Sequence, residues 1–197
     1  MDEQTLRAYE AAAPDFAREW SAQPIPLDMQ ALLRRFFKPG PTADIGCGSG
    51  RDAAWLNANG FPAVGYDASE AMLAEARRLH PQIRFQQSPL PELPGIRDES
   101  FANVLCETVI MHLDPASVAA SVRRLIAILE PGGILYVSWR VTENADRRDE
   151  HGRLYAAFDP ELVLRALAGT ELLLDEQVGS LSSGKLIRRL VARKRAA

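Results

Sequence analysis

An α/β fold, with a parallel sheet covered by helices on both faces, is what the sequence predicts, and three observations predict it. Short apolar runs alternate with helical patterns from residue 42 to residue 167. Strands that follow one another through helices run parallel, because a crossover returns the chain to the same end of the sheet. The first strand breaks into three alternate glycines, Gly46, Gly48 and Gly50, and a helix starts at once with Arg51-Asp52-Ala53-Ala54. Such a turn brings backbone close to a ligand and aims free N–H groups at it. The last two apolar runs, 171–178 and 185–193, are joined by the short Gly179–Gly184 turn and are therefore antiparallel to each other.

The elements follow in order. Residues 5–21 form a helix in two pieces, with Leu6, Tyr9 and Ala13 on one face and Phe16 and Trp20 on another. Pro14 between them suits a first turn, so a kink is expected there. After the Gln23–Pro26 linker, Met29, Leu32, Leu33 and Phe36 recur at helical spacing, and Pro39-Gly40-Pro41 ends that helix. Ala43-Asp44-Ile45 is strand one, 51–59 a helix closed by Gly60, and Pro62–Tyr66 strand two, ending at Asp67. Ser69 is the N-cap of a helix carrying Met72, Ala76 and Leu79. Ile83–Gln86 is a short strand and Phe101–Cys106 a buried one. Asp114-Pro115 opens the next helix, Pro131-Gly132-Gly133 turns into strand Ile134–Trp139, and a polar loop runs from 140 to 158. Asp159-Pro160 repeats the helix-start signal.

Bulk properties narrow the class. At 197 residues and 47% apolar composition the chain reads as one globular domain, 1–197. A formal net charge of −3 gives no nucleic-acid-binding field. The basic cluster Arg188-Arg189 and Arg193-Lys194-Arg195 reads as the solvated face of the last strand. Two cysteines make no disulfide framework, and the acidic start Met1-Asp2-Glu3 has no apolar leader, so a cytoplasmic location is expected. No apolar run reaches the ~20 residues of a membrane span. His80, His112 and His151 are scattered without ligand spacing, so no metal is expected.

Four motifs then appear in order: A-D-I-G-C-G-S-G, the acid in G-Y-D-A-S, L-C-E-T-V-I-M-H-L, and L-E-P-G-G-I-L-Y-V-S-W. With them the chain resembles the class I S-adenosylmethionine-dependent methyltransferases over roughly Pro39 to Val191, and most of all their small bacterial members. The resemblance implies a Rossmann-like three-layer α/β/α sandwich. Its seven-stranded, mostly parallel sheet has the order 3-2-1-4-5-7-6 with the last strand antiparallel, and lid helices over 1–38 precede a core over 39–197. It implies S-adenosyl-L-methionine as cofactor, S-adenosyl-L-homocysteine as product, and a methyl acceptor.

On that resemblance, Gly46, Cys47, Gly48, Ser49 and Gly50 hug the methionine and ribose parts of the cofactor. Asp67, 21 residues after Gly46, accepts both ribose hydroxyls, with N-capping as its structural alternative. Asp44 either accepts a backbone N–H or holds the cofactor's ammonium. Arg51, unfavourable at a helix start, pairs either with the cofactor carboxylate or with Asp52 or Glu70. Ala68 and Met72 flank the adenine. Where many relatives have Gly-Asp-Ala this chain has Ser88-Pro89-Leu90, so Ser88, backbone near Leu90, or Glu92 must read adenine. Cys106 and Glu107 border the transferable methyl group. Glu107 and His112 are the candidate general bases, although in-line displacement from a sulfonium can proceed by proximity and desolvation alone.

The acceptor site is expected from the N-terminal helices and the 140–158 loop: Tyr9 and Trp20 as lid residues, Trp139 and Arg140 at the mouth, and His151 and Tyr155 in the loop. With Arg147, Arg148 and Arg153 these suit an acidic or phenolic small molecule. No N-P-P-Y-type motif favours a nucleic-acid acceptor. A monomer or homodimer is expected. Two other readings compete. A nicotinamide-dependent oxidoreductase would need glycine at 51 in its G-x-G-x-x-G fingerprint, where this chain has arginine. A catalytically silent cofactor-binding sensor or partner subunit is left open by Pro89 in place of the motif acid.

Overall fold

The computed structural model describes residues 1–142 and 144–196. Seven strands make one sheet: β1 (Thr42–Ile45), β2 (Ala63–Asp67), β3 (Phe85–Gln87), β4 (Phe101–Cys106), β5 (Leu129–Arg140), β8 (Thr170–Gly179) and β9 (Leu186–Lys194). Their spatial order is β3-β2-β1-β4-β5-β9-β8. The first five are mutually parallel, and β9 runs antiparallel to both β5 and β8. This is the expected order, with β8 and β9 as the sixth and seventh strands of the main sheet. The numbers shift because a two-stranded hairpin, β6 (Arg147–Arg148) and β7 (Leu154–Tyr155), lies inside the loop expected to be irregular.

Alternation along the strands sorts side chains to two faces. Val104, Cys106, Leu135, Val137 and Trp139 pack with α5 (Pro115–Ala127) and α6 (Glu161–Ala166) through Val118, Val122, Leu125 and Val163. Leu105, Ile134, Tyr136 and Val191 meet α2 (Leu27–Phe36) and α3 (Arg51–Ala58) through Met29, Leu33 and Leu56. Ala53 of α3 joins Leu73 and Ala76 of α4 (Glu70–Leu79) against Phe85. Trp139, expected at the mouth, is instead only 3% exposed, and its ring packs on Phe158 with centroids 5.7 Å apart. Its place in the alternation puts it on the inner face that α6 covers.

Helix α1 (Glu3–Ala22) crosses α4 and brings Tyr9, Ala13, Phe16 and Trp20 against Met72. It carries the expected kink: Ala12 sits at φ −131° and ψ 26°, just before Pro14. The sequence-read helix starts also form, Asp159 Oδ1 accepting the Glu161 N–H at 2.9 Å at the last of them. Ser69 Oγ accepts the Met72 N–H at 3.2 Å, and Asp114 Oδ1 accepts the Ala116 N–H at 2.9 Å. Strand β5 starts five residues earlier than expected, at Leu129, and a register shift between Phe101 and Asn103 of β4 absorbs Pro131-Gly132-Gly133.

Candidate active site

The glycine turn is fixed from two sides. Gly46 N and Cys47 N both donate to the Tyr66 carbonyl of β2, at 2.7 and 3.0 Å. Gly46 and Gly48 adopt φ of 75° and 52°, a region costly for side chains. Space forbids side chains there as well, since a Cβ at Gly46 would strike Val109 and one at Gly48 the Trp20 ring. Asp67, the last residue of β2, takes the Gly48 N–H on Oδ2 and the Ser69 N–H on Oδ1, each at 2.9 Å. Burial pushes its carboxyl upward, and these backbone donors oppose the push. A carboxylate has about four acceptor positions, so two remain for a ligand.

At the end of β4, Ser138 Oγ donates to Glu107 and accepts the Thr108 N–H at 3.0 Å. Thr108 is held at φ 53°, backbone strain of the kind found at functional sites. Burial pushes the Glu107 carboxyl up to about 7, against the hydrogen bond from Ser138. Behind it lie the buried Tyr136 hydroxyl and Arg189, whose guanidinium joins Asp28 of α2 and Glu176 of β8, both at 2.8 Å.

His112 lies on the other flank, in the 3₁₀ turn Ile110–His112. Its Nδ1 is 2.5 Å from the Leu154 carbonyl and its Nε2 is 3.2 Å from the Tyr9 hydroxyl. A carbonyl only accepts, so the proton sits on Nδ1, and Nε2 accepts from Tyr9. Burial drives the imidazole down to about 4, so it is neutral at pH 7.

Helix α1 roofs this floor. Asp2 caps it, accepting the Thr5 N–H at 2.9 Å, and pairs with Arg148 of β6 at 2.8 and 3.0 Å. Thr5 Oγ1 accepts the Leu154 N–H at 2.8 Å. Farther along, the Trp20 ring covers Gly48, and Gln23 accepts from Ser182 at the tip of the β8–β9 hairpin at 3.1 Å. Arg153 is paired with Asp149 at 2.7 Å and lies over the Tyr9 and Phe16 rings.

Between floor and roof is a cavity of about 560 Å³. Of the residues singled out in the sequence, Tyr9, Trp20, Gly46, Cys47, Gly48, Ser49, Arg51, Asp67, Met72, Glu107, His112, Arg140 and Tyr155 line it. The others stand elsewhere. Asp44 is buried with Oδ2 unpartnered, its carboxyl pushed well up by burial and then by Asp52 and Asp67. Gly50 backs onto Phe85 and His80. Ala68 uses its carbonyl to accept from Gln87, and Ser88 donates to the Pro94 carbonyl. Leu90 and Cys106 belong to the main core, while Pro89, next to Leu90 in sequence, is half-buried and off the cavity wall. His151 packs edge-on against Phe16. Arg51 is paired with Asp52 at 3.1 Å. Thr108, which follows Glu107 where the methyl group is expected, lines the cavity too, and Val109, Ser182 and Lys185 line it with nothing in the sequence to announce them. Val109 follows the strained Thr108, and the S-L-S-S-G-K turn reaches the site only through the long return of β8 and β9. Among the described residues no His, Cys, Asp and Glu side chains gather as metal ligands. Among the described residues, too, no helix is long and apolar enough to cross a membrane.

Comparison with known proteins bears on the same region. Residues 43–133 match the family of methyltransferase domains. A trans-aconitate 2-methyltransferase of Variovorax paradoxus is 37% identical over 132 residues, 61% of this chain and 45% of that protein. One from Deinococcus radiodurans is 37% identical over 115 residues, 56% of this chain and 41% of that protein. The chain thus spans about half the length of the curated relatives it matches. Its fold is like that of a Burkholderia thailandensis 1,6-didemethyltoxoflavin-N1-methyltransferase, solved with its substrate and S-adenosylhomocysteine. The TM-score is 0.76 at 24% identity, covering 98% of this chain and 88% of that one.

Proposed function

We propose that this chain is a class I S-adenosylmethionine-dependent methyltransferase, a reading supported by its motifs, its domain match and its fold, and that it transfers a methyl group from S-adenosylmethionine to a small carboxylic acid. The observation that carries the reading is the cavity at the carboxyl ends of β1, β2 and β4, where ligands of open α/β sheets bind. Its floor fits the nucleoside. Gly46 and Gly48 carry no Cβ, so Val109 and Trp20 close directly onto the turn, and Asp67 keeps acceptor positions free beside it. When bound, the cofactor supplies an electrophilic methyl group on a sulfonium.

The residues around it do the rest. Asp67 accepts from the ribose hydroxyls, and Gly46 to Ser49 follow the chain of the cofactor. Glu107 carries negative charge beside the sulfonium end. Arg140 and Lys185 face the cavity and, among the described residues, have no carboxylate partner. They attract an anionic acceptor, and the names of the trans-aconitate methyltransferases support an acid as that acceptor. A carboxylate oxygen needs no proton removed before it attacks, so neither Glu107 nor His112 has to act as a base. His112 then acts as a positioning residue, holding Tyr9 over the acceptor side. Helix α1 excludes water, which strengthens each of these electrostatic contacts.

Calorimetric titration with S-adenosylmethionine and S-adenosylhomocysteine tests the cofactor. Release of S-adenosylhomocysteine against a panel of carboxylic acids, phenols and amines tests the acceptor. Binding of both nucleosides and turnover with acids are expected. Absence of binding would overturn the proposal, and turnover confined to phenols or amines would overturn its acceptor.

A further inference from the structure

A second hollow, of about 370 Å³, adjoins the cavity on the side of the β6–β7 hairpin. The two share Arg140, Asp149 and Tyr155. Three arginines line it: Arg140 at the end of β5, and Arg147 and Arg148 in β6. Arg148 is neutralised by Asp2. Arg140 and Arg147 have no carboxylate partner among the described residues. One side chain ties these two together. The Arg140 guanidinium lies 4.8 Å from the centroid of the Tyr155 ring, and Tyr155 is the strand partner of Arg147. Arg140 is also fixed through its own N–H, 3.3 Å from Met111 Sδ.

We infer that this hollow is a subsite for a second acidic group of the acceptor, so that the acceptor is a compact di- or tricarboxylate. This rests on the acid-acceptor reading above. One carboxylate stands in the cavity to be methylated, and the other reaches past Tyr155 to Arg140 and Arg147. Two like charges lining one hollow repel, and an anion between them removes that repulsion. Planar guanidinium groups match carboxylate and phosphate alike, so the test separates these sources.

The experiment uses the whole chain saturated with S-adenosylhomocysteine. It is titrated with trans-aconitate, succinate, crotonate and inorganic phosphate. Trans-aconitate and succinate are expected to bind at least tenfold more tightly than crotonate, the monocarboxylate, and than phosphate. Arg147→Gln should weaken the first two about tenfold, the scale of one charge-assisted hydrogen bond, and leave crotonate and S-adenosylhomocysteine unchanged. Arg97→Gln, which removes the same charge from the loop after β3, should change nothing. Equal affinity for mono- and dicarboxylates, no effect of Arg147→Gln, or failure of all the acids to bind would overturn the subsite. Preference for phosphate would overturn its carboxylate assignment. Failure of S-adenosylhomocysteine itself to bind would instead overturn the methyltransferase reading.

Discussion

Replacing Asp67 with alanine removes two functions of one carboxylate. The Gly48 and Ser69 N–H groups, each 2.9 Å from an Asp67 oxygen, lose their acceptors. On the proposed function, the ribose hydroxyls lose theirs as well. A hydrogen bond to a charged group contributes about 1.5–3 kcal/mol. At about 1.4 kcal/mol per tenfold, the affinity for S-adenosylhomocysteine should fall about 10- to 150-fold. Stranding the two backbone donors should also lower stability, by about 1–3 kcal/mol. Calorimetric titration measures the first effect and denaturant unfolding the second. A loosened turn would weaken any ligand, so the ribose contact is isolated with 2′-deoxy-S-adenosylhomocysteine. The deoxy compound should bind more weakly than its parent to the wild type and equally to Asp67→Ala, because the variant has nothing left to sense the hydroxyl. A folded variant that binds S-adenosylhomocysteine within twofold of the wild type would refute the assignment. So would an undiminished deoxy penalty.

Two further predictions concern the far side of the sheet. Glu107 holds its proton up to about 7, and a sulfonium beside it favours the ionised form. Affinity for S-adenosylmethionine relative to the uncharged-sulfur product should therefore rise as pH rises through 7, by roughly three- to tenfold. Glu107→Gln should flatten that ratio, and a wild-type ratio independent of pH would place the sulfonium elsewhere. Arg189→Met leaves Asp28 and Glu176 without their shared, buried guanidinium. Because both acids keep some solvent, the expected loss by denaturant unfolding is about 2–3 kcal/mol, below the about 3–5 kcal/mol of a fully buried broken pair. A loss below about 0.5 kcal/mol would show the network to be a solvated one.

How far the chain was legible follows from the range of each signal. Strand β4, the Ser69 and Asp114 caps and the Ala12–Pro14 break are set within a few residues, and the structure has them where the pattern put them. The sheet order came from motif order rather than from spacing. The cavity floor was legible because glycines and Asp67 sit on consecutive strand ends. The walls were not. Trp139 looked like a rim residue from its position at a strand end, but alternation turned it into the core. Ser182 and Lys185 arrive from about 130 residues beyond Arg51, and no local pattern records that approach. The β6–β7 hairpin is two residues per strand, too short for a period to show. His112 drew attention as a base, yet both its nitrogens are engaged by groups distant in sequence, Tyr9 and Leu154.

The break in helix α1 divides the roof into two separately fastened halves. Its first half is fastened to the β6–β7 hairpin through Asp2, Thr5 and His112-bound Tyr9. Its second half rests on the glycine turn through Trp20 and on the β8–β9 tip through Gln23. Helical continuity is interrupted between them at Ala12, where Pro14 also withholds an N–H. The roof is thus two halves held by separate contacts on either side of one break, so losing the contacts of one half leaves those of the other in place.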